Sequence, residues 1–76
     1  MTVRPTDDEA ANYVLEHFRT HDYDMVVLLT AVTACPEHPN AVDVHFVDVT
    51  DDDRAPMIFT VWWEDVGTGP FLYGEW

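Results

Sequence analysis

Lysine is absent from this 76-residue chain, and arginine occurs only as Arg4, Arg19 and Arg54. Against those three cations stand fifteen Asp and Glu residues, giving a formal net charge of −12 at pH 7. A surface of that sign repels nucleic acid and anionic lipid, and it speeds encounter with basic molecules by steering. Grooves that hold DNA or RNA are lined with cations, so no direct nucleic-acid partner is expected. Cysteine is almost as scarce, and Cys35 alone cannot form an intramolecular disulfide. The opening MTVRPTDDE lacks a charged-then-apolar leader, and no run approaches the roughly 20 apolar residues of a membrane span. The expectation is a cytoplasmic chain with no membrane partner. Phosphate-cradling glycine loops, GxSxG and HExxH are all missing. Neither an enzyme nor a cofactor is expected.

What is present is apolar. Hydrophobic residues make up 47% of the chain and aromatics 13%, a globular composition despite the charge. A chain this short makes one domain, residues 1–76, that buries only about 60% of its unfolded surface, so stability rests on good packing or on a second chain. An excess of Asp over Glu without lysine is also what adaptation to high salt produces, the carboxylates then holding water and ions. That adaptation does not call for three tryptophans.

Thr6 reads as a helix N-cap with Glu9 as its capping-box partner, and Asp7 and Asp8 sit favourably at the positive end of the dipole. Ala11, Val14, Leu15 and Phe18 recur at the spacing of one helical face, which predicts a helix over about residues 7–21. After a turn at Asp22, the branched residues from Met25 to Thr33 predict a strand over about 24–34, apolar at both parities and so buried on both faces. Pro36 and Pro39 break it. A second strand follows over about 41–49, with Val42, Val44 and Phe46 alternating against Asp43 and His45. The phase slips at Val47 and Val49, which points to a bulge or a twist near Phe46. Strands over about 57–64 and 71–75 complete an α+β domain, an N-terminal helix packed on a twisted antiparallel meander of three or four strands.

One helix covers one face of such a sheet, yet large apolar side chains occur at both parities. Trp62 and Trp63 are adjacent and point to opposite sides. The second face needs cover, and the expected order is a homodimer, then a sheet curled on itself, then a surface reserved for a target. Trp62, Trp63 and Tyr73 are candidate interface anchors, against the plainer reading of the aromatics Trp62, Trp63, Phe71, Tyr73 and Trp76 as core and terminal-strand packing.

His17 and His21, four apart on the helix, and Cys35 with His38 in the proline-rich loop are weak candidates for a zinc staple. The plainer reading makes His21 a helix C-terminal cation, Cys35 a small hydrophobe and His38 a solvated loop residue. Asp51, Asp52 and Asp53 supply calcium-type oxygens without the glycine or length of a calcium loop, and read as a solvated run. The leading expectation is a small acidic binding protein that engages a basic protein surface, as an inhibitor or nucleic-acid mimic directed at a nuclease or defence complex. Its acidic rim is Asp43, Asp48, Asp51, Asp52, Asp53, Glu64 and Asp65. The alternatives are a homodimeric domain whose acidity serves solubility or salt adaptation, and the zinc-stapled module.

Overall fold

The computed structural model describes residues 4–21 and 24–76, so the turn expected at Asp22 lies outside the described residues. Helix α1 spans Asp7–Thr20. It starts where the capping box places it: the Thr6 hydroxyl accepts from the Glu9 backbone N–H at 3.1 Å, and the Glu9 carboxylate accepts from the Thr6 N–H at 3.0 Å. It stops at His21, whose extended backbone (φ −95°, ψ 137°) ends the helical geometry while its N–H still bonds the His17 carbonyl. On the outer surface Arg19 pairs with Glu16.

Four strands follow as an antiparallel sheet in chain order: β1 Val27–Ala34, β2 Ala41–Asp48, β3 Met57–Asp65 and β4 Pro70–Glu75. The expected α+β meander is therefore the fold. Helix α1 packs over β1, β2 and β3. Beneath it lies a core of Ala10, Val14, Val42, Val44, Phe46, Phe59 and Val61, each 2% exposed or less, with Tyr13, Phe18, Leu29, Met57 and Leu72 packed against its edge. Apolar residues two apart on each strand land on this one side because strand side chains alternate.

Several details depart from the sequence reading. The inward stripe of the helix is Ala10, Tyr13, Val14 and Phe18, whereas Leu15 is 46% exposed. The helix is rolled toward its bulky rings: Tyr13 meets Phe59 edge-on at 5.9 Å, and Phe18 packs against Phe46 at 5.3 Å. Strand β1 is an edge strand, not one buried on both faces; Leu28 stands 53% exposed. The register shift falls beside Phe46, where the lapse in alternation places it, but its extra residue is on β1. Leu29 pairs with Phe46 and Ala31 with His45, which leaves Thr30 as the extra residue. Nor does the sheet curl closed, since β1 and β4 are its two edges.

Strand β4 is held close by a glycine. Gly74 pairs with Val61, and a Cβ placed on it would stand 2.2 Å from a ring carbon of Phe59 and 2.7 Å from one of Tyr13. Hydrogen at that position lets the Phe59 ring lie against the β4 backbone. Trp76, just beyond the strand, continues the same aromatic cluster with its ring 5.2 Å from that of Phe18.

Candidate functional site

The side of the sheet away from α1 carries the opposite parity. Register places Leu28 across from Val47, His45 across from Ile58, Trp62 across from Tyr73 and Glu64 across from Phe71. No described element covers these residues. Leu28, Ile58, Phe71 and Tyr73 are between 39% and 53% exposed, and all four belong to this face. Isolated exposed apolar residues are ordinary, but several on one flat sheet face form a patch of the kind that docks something.

A polar row crosses the middle of the patch. Thr33 pairs with Asp43, Asp43 with Thr60 and Thr60 with Glu75, one residue from each strand. The Thr60 hydroxyl donates to Asp43 Oδ1 at 2.8 Å, and Thr33 Oγ1 bonds His45 Nε2 at 2.8 Å. Charge-assisted bonding to a hydroxyl keeps Asp43 tolerable at 8% exposure. None of the four strands carries a lysine or arginine. The cations of the chain lie elsewhere: Arg4 precedes the helix, Arg19 is on it beside Glu16, and Arg54 is in the β2–β3 loop.

The sequence-derived rim is not one cluster. In a meander successive loops fall at opposite ends of the sheet, so Asp51, Asp52 and Asp53 lie at one end of β3 and Glu64 and Asp65 at the other. Nine extended residues separate those ends by about 26 Å. Asp43 belongs to neither group, being at the centre of the uncovered face. Asp48 is a fastening residue: its Oδ1 accepts from the Val26 N–H, the Thr50 N–H and the Thr50 hydroxyl, tying the start of β1 to the β2–β3 loop. The Thr50 hydroxyl, followed by the Thr50 N–H, holds its carboxyl below the usual carboxylate range. Of the three proposed anchors, Trp62 and Tyr73 are brought together on the uncovered face, whereas Trp63 pairs with Leu72 on the helix side.

The four candidate zinc ligands are not brought together either. His17 packs among the rings of Phe18, Phe59 and His21 at the end of α1 that lies over Phe46. Cys35 and His38 sit in the β1–β2 hairpin, closed by bonds of Cys35 N–H to Ala41 O and Ala41 N–H to His38 O, at the other end of β2. Among the described residues no group of three His, Cys, Asp or Glu side chains could hold a metal ion. Burial, and then the charge of His21, push the His17 imidazole below its ordinary value.

Ile58, Thr60, Glu75, Thr33 and Val47 were not singled out from the sequence as site residues. The signal that finds them is parity: each stands at the alternate position to a core residue on its strand. No helix among the described residues is long and apolar enough to cross a membrane. Comparison with protein-family models, with curated proteins and with solved structures finds no match.

Proposed function

We propose that the protein is a non-catalytic acidic binding protein that docks the uncovered face of its sheet on a basic protein surface. The observation that carries this reading is the pairing of an exposed apolar patch with a sheet that holds no lysine or arginine at all. Aromatic and aliphatic residues supply the contact area, and the carboxylates at both ends frame it and select the sign of the partner. Because those carboxylates do not follow one line, the arrangement fits a basic protein surface better than imitation of a phosphate backbone, whose charges recur at short regular intervals. Inhibition of the partner is the consequence to be expected where the covered surface is itself a functional groove.

The test is kinetic. Proteins that co-purify with this chain should be basic, their association rate should fall steeply between about 50 and 500 mM salt, and Phe71→Lys should abolish binding while leaving the fold intact. An on-rate indifferent to salt, or a partner bound equally well by Phe71→Lys, refutes the reading. A second reading, a homodimer stacked through the same face with its acidity serving solubility, is favoured by the spread of carboxylates over helix, loops and strands. Sedimentation separates the two.

A further inference from the structure

Below the β1–β2 hairpin the uncovered face drops into a cleft of about 960 Å³. It is lined by Ala41, Asp43, Ile58, Thr60, Trp62 and Glu75 of this face, by hairpin residues 35–40 including Glu37, and by Trp63 and Trp76. The register accounts for the shape. Small Ala41 opposes Trp62, and Thr60 stands between Asp43 on β2 and Glu75 on β4. With strands about 4.8 Å apart, the backbones bearing the two carboxylates are separated by about 10 Å across a side chain no larger than threonine. Asp43 is 8% exposed, and the bond it accepts from Thr60 occupies Oδ1. Of the three acidic residues that line the cleft, Glu37 comes from the hairpin, while Asp43 and Glu75 flank Thr60 from the strands on either side, on the same face as the indole of Trp62 and on strands without a single fixed cation.

We propose that this cleft seats an arginine side chain of the basic partner, its guanidinium between Asp43 and Glu75 and its plane against Trp62. This rests on the docking reading above and adds to it the residue that the partner must present. A guanidinium carries five N–H donors in a rigid fork and can bond two acceptors on opposite sides at once, whereas an ammonium is a compact, strongly hydrated point. Its weakly hydrated plane also stacks on an aromatic face, with Trp the best of the aromatic partners. A carboxylate as enclosed as Asp43 has given up most of its water, and a cation delivered into the cleft replaces that lost solvation.

Two acetylated, amidated peptides of equal charge test this, one a glycine–arginine repeat and one a glycine–lysine repeat, each titrated into the full chain and followed by amide and indole NMR shifts. At about 50 mM salt the arginine peptide should bind about fivefold or more tighter than the lysine peptide. Its shifts should centre on Ala41, Asp43, Thr60 and the Trp62 indole N–H. Asp43→Asn should weaken the arginine peptide about tenfold. Glu75→Gln, at an exposed position whose replacement spares the core, should weaken it about threefold and leave the lysine peptide less affected. Equal affinities, or shifts centred on Asp51, Asp52 and Asp53, overturn the arginine seat and leave a charge-driven docking face standing. Failure of both peptides to bind at low salt overturns the seat and the docking reading together.

Discussion

Gly74→Ala should be among the most damaging single-methyl changes available in this chain. The added Cβ would meet two Phe59 ring carbons at 2.2 and 2.9 Å and a Tyr13 ring carbon at 2.7 Å, whereas carbon atoms pack favourably at about 3.5–4.0 Å. The rings therefore have to retreat by more than 1 Å, roughly the gap between those separations. Phe59 has no room to do so: it is fully buried, pressed from above by Tyr13 and flanked by Phe18 and the Trp76 ring. Overpacking of this kind costs about 1–3 kcal/mol, and a clash with two constrained rings belongs at the upper end of that range. A domain of this size has only about 4–11 kcal/mol of stability to lose. At about 4–8 °C per kcal/mol, the melting temperature should fall by roughly 10–20 °C, read by far-ultraviolet circular dichroism and tryptophan fluorescence. The sign is diagnostic, because alanine replacing glycine within a strand is otherwise stabilising by about 0.5–1 kcal/mol. Shortening the clashing ring should rescue it: Phe59→Leu combined with Gly74→Ala should be less destabilised than the two changes summed. A Gly74→Ala variant that melts at or above the parent temperature would refute the close packing of β4 under Phe59.

Two further perturbations test the helix. Thr6→Ala removes the hydroxyl that accepts the Glu9 N–H and should cost about 1 kcal/mol, seen as a melting temperature about 4–8 °C lower, while Thr6→Ser should cost little. The His17 imidazole is held below its ordinary value by burial and by His21, so the folded chain binds its proton less readily than the unfolded chain does. Its contribution is complete above the ordinary histidine range near 6.5 and is lost as pH falls through the lowered folded value. The urea midpoint should therefore decline on acidification from pH 8 toward pH 5, and His17→Leu should flatten that decline; an unchanged slope in the variant would show that another group carries it.

The elements with local chemical signals were legible in the sequence. Thr6 and Glu9 mark the helix start because a capping box is a contact between near neighbours, and Pro36 and Pro39 mark the end of β1 because proline cannot donate to a ladder. What depends on contacts distant in sequence was not. The helix is rolled away from Leu15 because the Tyr13 ring has a place over Phe59 and Gly74, and no helical periodicity carries that information. The register shift beside Phe46 shows in the sequence as a lapse in alternation along β2, but the extra residue is Thr30 of β1. A run apolar at both parities hides a register shift, since either phase buries something. Asp43 was grouped with the loop acids by type alone. Only its pairing with Thr33 and Thr60 separates a central, enclosed carboxylate from the exposed ones around it.

Whether the uncovered face is free depends on whether a second copy occupies it, and the charge of the chain decides that. Stacking two sheets face to face brings together two bodies of −12 each with centres about 20 Å apart. Coulomb repulsion in water, screened by the Debye length of about 10 Å at 0.1 M salt, then weakens association roughly a thousandfold. At 2 M the Debye length is below about 3 Å and the penalty vanishes, leaving the attraction between apolar faces unopposed. The chain should accordingly sediment as a folded monomer at 0.1 M and as a concentration-dependent dimer at 2 M. A stable dimer at 0.1 M would mean that Leu28, Ile58, Phe71 and Tyr73 outweigh the repulsion, and the face would then belong to a homodimer instead of a basic partner. A chain unfolded at 0.1 M that folds only at 2 M would make its carboxylates an adaptation to salt, because their mutual repulsion would exceed what this small core supplies, and the docking reading would fall with it.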